Sequence, residues 1–445
     1  MNLKKRFVAI IISSLLVSLP LPSYAQNAAT ATKRQSASSG QKLPAPTPLA
    51  GPGQPVDWLF IFKFNAATFD IGCAGEEIPA TGSAGIFGGK VQHYEAKHSQ
   101  QFAFATSAKP ALDLGTGCVG ATLTDPLGAT FAQIYKTPGY HYVLWNDQFY
   151  NDPIKSEGGP YGHSKGMVAW NDDGEGLVLQ VSTPSWPASG SQGHPRRVDG
   201  NTLGCINDDD IEVSQHFFAL KLTKDDLVKV LKGLVNASVV TSIAHPEIVQ
   251  TGGPAEIQAI VATIGKESKS TECTQVTLST GVQMISKPSD MAAPPWQIVS
   301  AKLDKMPLRV ASWWADPMIY TTNANTPIEA WPAGLGKPGA VEIATSGKCK
   351  WNNDKGIGLK GGMGTTFNHA KIGISTDKSK PICVFGDMNQ QGALHKNYDH
   401  PGQSMKSSQN GRGGTFYVLK NEALFNSLAD LLDGDTAPEQ PPKGK

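Results

Sequence analysis

The sequence predicts an α/β protein of two similar halves, each a mixed β-sheet flanked by helices. Three observations predict it. Glycine and proline are abundant, at 47 and 31 of 445 residues, and they separate short runs rich in Val, Ile, Thr and aromatic residues. That composition belongs to a sheet-rich, turn-rich fold. The length suits two domains or two fused halves. A His-x-Lys triplet occurs twice, as His163/Lys165 in "GPYGHSKGMVAW" and as His369/Lys371 in "TTFNHAKIGIS", and each is followed by a strand, a return strand and a helix.

Residues 1–25 combine a basic start (Lys4, Lys5, Arg6), an apolar run and a small-residue end at Ser23 and Ala25. They read as a secretory signal peptide cleaved after Ala25, which predicts a periplasmic or secreted protein. Pro20 and Pro22 break the apolar run, so a retained membrane anchor is the weaker reading and no membrane partner is expected. Residues 26–55, rich in Ala, Ser, Thr and Pro, are expected to be a disordered linker.

The first half is assigned to residues 56–250. "VDWLFIFKF" (56–64) and "YHYVLWNDQ" (140–148) are predicted strands. "KGMVAW" and "GLVLQVS" flank the polar turn "NDDGE" (171–175) and read as a hairpin. "IEVSQHFFALKL" (211–222) is a long strand. "TKDDLVKVLKGLVNAS" (223–238) is a helix, with Thr223 as cap, Asp226 at the capping-box position, and Leu227, Val230, Leu231 and Leu234 on one face. The second half, 251–433, runs similarly. Strands are predicted at 307–315, 340–346, around the second His-x-Lys, at 381–389 and at 413–419, with a helix at 421–432. Residues 434–445 are expected to be a flexible tail.

Cys73, Cys118, Cys205, Cys273, Cys349 and Cys383 form no C-x-x-C pair. In an exported chain an even count predicts up to three disulfides, and a zinc site is the poorer explanation. Loss of the leader takes three from the 39 basic residues. The mature chain then has 36 Lys+Arg against 38 Asp+Glu, a net charge of −2 with His neutral. All ten His are in the mature part, so protonation in acid brings the charge to about +8 and favours a polyanion.

On a strand, residues i and i+2 share a face, so each His-x-Lys presents an imidazole beside an ammonium. That pair suits phosphate chemistry. An imidazole attacks phosphorus or donates a proton, and the ammonium stabilises anionic oxygens. One such triplet says almost nothing, and even the pair of them is as well explained, on pattern alone, by exposed strand ends. Two of them allow a double displacement, with one His as nucleophile and the other as acid. "GHSKG" (162–166) also satisfies G-x-S-x-G, with Ser164 as nucleophile, but a nucleophile elbow needs a helix next and "MVAWNDDGEG" is a strand and a turn. The second triplet carries Ala370 where the first carries Ser164. The acidic runs at 171–176 and 207–212 lack calcium-loop spacing and read as solvated turns. His194, Arg196 and Arg197 read as a surface loop. No metal and no cofactor are expected.

"PVDWLFIFKF", "YVLWNDQ", "GHSKG", "STPSWP", "NTLGC", "NHAK", "GDMNQQ" and "GRGGT" occur in one order along residues 55–432. In that order they resemble deoxyribonuclease II, the acid endonuclease family related in fold to phospholipase D, and the chain is similar to a bacterial member. The resemblance implies two pseudo-symmetric phospholipase D-like halves with one active site at their interface, in a monomer or homodimer. It implies metal-independent hydrolysis of double-stranded and possibly single-stranded DNA through a phosphohistidine, leaving 3′-phosphate and 5′-hydroxyl ends. It assigns catalysis to His163, Lys165, His369 and Lys371, and supporting places to Asp387 and Asn389, with Ser182 as the first half's counterpart of Asp387. Two features depart from the family: animal members have a His where Val181 stands, and they have a Cys soon after the second His-x-Lys. The Asp of the strict phospholipase D pattern is missing in both halves, as it is in deoxyribonuclease II. Another phosphodiesterase of that superfamily and a non-catalytic DNA clamp are the alternative readings.

Overall fold

"WLFIFK", Trp58–Lys63 (β1), buries all six side chains, as an apolar run in the middle of a sheet covered on both faces does. This computed structural model describes residues 42–68, 101–117, 119–120, 124–149, 154–184, 212–349 and 356–440. Residues 1–25, read above as a signal peptide, residues 26–41, residues 441–445, Cys73, Cys118, Cys205, the stretch with His194, Arg196 and Arg197, and residues 207–211 of the second acidic run lie outside the described residues.

After β1 come Phe102–Thr106 (β2), Asp113–Leu114 (β3), helix Pro126–Lys136 (α1), His141–Asn146 (β4), Lys165–Trp170 (β5), Gly176–Val181 (β6), Gln215–Leu222 (β7), helix Lys224–Asn236 (α2) and Val249–Gln250 (β8). These strands make one sheet in the order β3-β2-β1-β7-β6-β5-β4-β8. Helix Ala255–Val261 (α3) leads onward to Thr274–Thr277 (β9), Gln283–Lys287 (β10), helix Pro295–Lys302 (α4), Leu308–Ala311 (β11) and Val341–Ile343 (β12). Ser346–Lys348 (β13) and Gly356–Gly358 (β14) form a small antiparallel pair. Ile372–Ser375 (β15), Ile382–Gly386 (β16), Gly414–Lys420 (β17) and helix Glu422–Leu432 (α5) complete the order. The second sheet runs β12-β11-β15-β16-β17-β10-β9.

Five strands recur in order and sense. β1-β7-β6-β5-β4 in the first sheet corresponds to β10-β17-β16-β15-β11 in the second, with every neighbouring pair antiparallel. A helix follows the third strand after each His-x-Lys: α2 after β7 and α5 after β17. Thr223 caps α2 in a full capping box with Asp226, and Leu227, Val230, Leu231 and Leu234 are buried, as the sequence predicted. Asn421 accepts from the Leu424 N–H at the start of α5.

Lys42–Lys445 form one compact unit, so the two sheets are not separate bodies. Phe385 of β16 stacks between Phe60 of β1 and Phe218 of β7, at centroid distances of 4.6 and 4.5 Å. A buried Phe contributes about 1.5–3 kcal/mol, so this joint binds the sheets firmly.

Three expectations are corrected. Residues 42–55 are not a disordered linker. Thr47 N and Leu49 N donate to Gln133 and Thr130 of α1, and the Tyr140 hydroxyl donates to the Pro44 carbonyl. The 434–440 part of the tail is ordered too, since Ala437 N donates to Ile343 O and Gln440 N to Thr321 O. Backbone groups of both segments find partners far along the chain, side chains for the first and backbone for the second, which composition does not reveal. Three disulfides are excluded because Cys273 and Cys383 are free thiols buried in apolar cores. Burial pushes the Cys273 thiol up to about 11 and the Cys383 thiol higher still.

Candidate active site

Both His-x-Lys triplets lie at strand mouths rather than within strands. Lys165 opens β5, and Lys371 directly precedes β15. Each His is seated by the other sheet. His163 N donates to Gly413 O, one residue before β17, and His369 N donates to Ser214 O, one residue before β7, both at 2.8 Å. Glycine permits the first seat. A Cβ on Gly162 or Gly413 would lie 2.5 or 2.1 Å from the Ala237 carbonyl at the end of α2.

The imidazoles are held differently. His163 Nδ1 lies 2.8 Å from the Asp387 carbonyl oxygen. A carbonyl only accepts, so Nδ1 carries the proton and Nε2 keeps its lone pair. His163 is buried, and burial first, then the Lys165 charge, hold its pKa well below 6.5. The ring of His369 packs against Trp313, with centroids 4.4 Å apart. Its Nδ1 faces Gln215 Nε2 at 3.3 Å. The Gln215 amide is oriented by Ser182, whose hydroxyl takes the His216 N–H at 2.8 Å and donates to Gln215 Oε1 at 2.5 Å. In the neutral His369 ring Nδ1 thus accepts from the Gln215 N–H and the proton is on Nε2, whereas the imidazolium calls for the amide turned over, with Oε1 toward Nδ1.

The lysines also differ. Lys165 Nζ donates to Asp147 Oδ1 at 2.6 Å, and Arg412 Nη2 reaches Asp147 Oδ2 at 2.9 Å. Burial alone would raise the Asp147 carboxyl, but Lys165 and Arg412 hold it well below the usual range. Arg412 also donates to the Tyr161 and Gly162 carbonyls, tying the loop before His163 to the opposite sheet. Lys371 Nζ donates to the His369 carbonyl.

Asp387 and Ser182 occupy matching places. Asp387 N donates to Thr415 O and Ser182 N to His216 O, both at 3.1 Å. Asp387 accepts from Thr415 N, from Thr415 Oγ1 and from Gln180 Nε2. Burial raises its pKa to about 6 against the opposing hydrogen bonds of Thr415 and Ser164. Asn389 bonds Gln391 and Gln409, so it braces its own loop rather than either pair. Ser164 accepts from Trp145 Nε1 at 2.8 Å, is buried, and leads into β5 instead of a helix. That geometry removes the nucleophile-elbow reading. Among the described residues, no three His, Cys, Asp or Glu side chains are grouped to hold a metal, and no helix is long and apolar enough to cross a membrane.

Sequence reasoning quoted "WNDQ" and "GRGGT" without giving Asp147 and Arg412 a role, and it passed over Gln215, His216 and Trp313. A signal existed for two of these. Gln215 and His216 are a polar pair opening an apolar strand, and both are fully buried. Burial gives His216 a pKa of about 3, with the Lys371 charge acting the same way.

The deoxyribonuclease II family model matches residues 86–433, a span that holds both His-x-Lys pairs, Ser182, Asp387 and Arg412. The cell-death-related nuclease 7 of Caenorhabditis elegans is 22% identical over 381 residues, which cover 84% of this chain and 83% of the nematode protein.

Proposed function

The chain belongs to the deoxyribonuclease II family and is a deoxyribonuclease, and from that premise we propose that it cleaves DNA in acid, without metal, through a phosphohistidine. The five-strand blocks are read as pseudo-symmetric, phospholipase D-like halves with the active site at their junction. The reciprocal seating of His163 and His369 supports that reading. The leader-like residues 1–25 support export to the periplasm or medium.

One observation carries the mechanism: the two imidazoles have different surroundings, His163 being held neutral by burial, Lys165 and the Asp387 carbonyl while His369 lies against Trp313 and the Gln215 side chain. His163 has its Nδ1–H committed to the Asp387 carbonyl, which leaves Nε2 as the nucleophile. His369 acts as the imidazolium, giving its Nε2 proton and keeping the Nδ1 proton on the side of Gln215. Attack by His163 Nε2 forms the P–N bond as the P–O5′ bond breaks, and the His369 proton goes to O5′. The 5′-hydroxyl strand leaves. His369 Nε2 then takes a proton from water, whose oxygen displaces His163 and leaves a 3′-phosphate. Lys165 and Lys371 stabilise the nonbridging oxygens. Because the His163 pKa is depressed, it stays neutral and nucleophilic in acid, where an ordinary imidazole with a value near 6.5 is protonated.

Nicking of supercoiled plasmid at pH 5 in EDTA tests this. Cleavage is expected, with 5′ ends that accept a kinase label without prior phosphatase. Activity appearing only with added magnesium or calcium, or a rate climbing through pH 8, overturns the mechanism.

A further inference from the structure

Two lysines outside the His-x-Lys pairs are wholly buried: Lys63, the last residue of β1, and Lys287, the last residue of β10. Burying an ammonium is costly unless its donors are used. Lys63 Nζ donates to the Val213 carbonyl at 2.7 Å and to the Phe64 carbonyl at 3.1 Å. Lys287 Nζ donates to the carbonyls of Arg412 at 2.7 Å, Asn410 at 2.9 Å and Pro288 at 3.2 Å. Their places correspond. Lys63 lies opposite Gln215 in the β1–β7 ladder, and Lys287 lies opposite Gly414 in the β10–β17 ladder. Each holds the carbonyl of its own successor and that of the residue two before its cross-strand neighbour.

The next carbonyl along each of those turns has a different partner. Those next carbonyls are Ser214 and Gly413, the acceptors of His369 N and His163 N. One lysine therefore holds the carbonyl one residue before each histidine seat.

We propose that Lys63 and Lys287 are positioning residues that fix these two turns, Lys63 holding the seat of His369 and Lys287 the seat of His163. Each lysine acts on the histidine of the opposite half. The inference rests on the reading that these histidines do the chemistry. Lys287 is matched to the task in number, with three carbonyl acceptors for its three N–H donors. Burial brings its pKa down to about 7, so it is charged in acid.

The test uses full-length protein labelled with 15N-histidine, with the His163 and His369 imidazole signals assigned from His163→Ala and His369→Ala. Lys287→Met is expected to lower kcat at least about tenfold with KM little changed, and to shift the His163 signals while His369 stays in place. Lys63→Met is expected to do the reverse. Should a Met variant fail to fold, the Gln variant, whose amide can still donate to two carbonyls, is read the same way. Shifts in the histidine of the same half, equal shifts in both, or shifts in neither overturn the proposal. Loss of folding in both the Met and Gln variants also overturns it, because the lysine is then a general support. Failure of the underlying reading is seen separately, as retained activity in His163→Ala or His369→Ala while the crossed shifts persist.

Discussion

Behind His163 stands a backbone carbonyl, and behind His369 stands a side-chain amide. The two triplets share spacing, seat and position at a strand mouth. They differ in what the neighbouring half presents to the ring. The residues after the histidines differ too, Ser164 against Ala370, as do the residues at the end of the return strand, Ser182 against Asp387. The recurring five-strand blocks thus supply matching places, and a few polar differences give the two rings different partners. The proposed double displacement needs that asymmetry, since its nucleophile must be neutral while its acid carries a second proton.

The largest effect should come from breaking the histidine comparison itself. His163→Ala and His369→Ala are each expected to lose on the order of 10³-fold or more on DNA, about 4 kcal/mol of transition-state stabilisation. A p-nitrophenyl phosphodiester should separate them, because nitrophenolate leaves without a proton. His369→Ala should recover much of its activity on that substrate and His163→Ala none. The opposite pattern would exchange the two roles.

A smaller effect should come from the Asp387 and Ser182 difference. Only Asp387 titrates, and burial puts its pKa at about 6, above the ordinary 3.8. Between those values the folded chain keeps a proton that the unfolded chain has lost. This group's stabilising contribution is therefore full below about pH 4 and is lost as pH rises through 6, a change of about 3 kcal/mol. Asp387→Asn removes the titration. The Tm of the variant minus that of the parent chain should grow from pH 4 to pH 7, and a flat difference would mean that Asp387 is ionised throughout.

The smallest effect is expected at Ser164. The matching position already carries Ala370, so Ser164→Ala should leave turnover within about threefold while costing about 1–2 kcal/mol, because Trp145 Nε1 loses its buried acceptor. Equilibrium denaturation and the plasmid assay measure the two separately. A dead but folded Ser164→Ala enzyme would restore the hydroxyl as a participant.

Much of the scaffold was legible in local signals. The Thr223 capping box, the apolar stripe of α2 and the strands from β4 to β7 follow from caps and periodicity, which act within a few residues. Helix α1 had a signal that was passed over, namely Asp125 as N-cap directly before Pro126. Strand β10, the counterpart of β1, is only five residues long and has no strict alternation to mark it. The four His and Lys positions were found by spacing. Asp147, Arg412 and Gln215 were not assigned, because nothing near them in sequence says what they face.

The sequence by itself determined most of the elements and the two His-x-Lys triplets, each with a return strand and a helix after it, since these depend on side-chain period, capping and spacing. Only the tertiary structure decided that each histidine is seated by the opposite half, that Asp147 and Arg412 close around Lys165, and that Ser182 orients Gln215 toward His369. The physical reason is separation along the chain. His163 and Asp387 are 224 residues apart, and a strand's period of two fixes which face a side chain takes but not which element covers that face. That choice follows from how the two sheets pack around Phe60, Phe218 and Phe385.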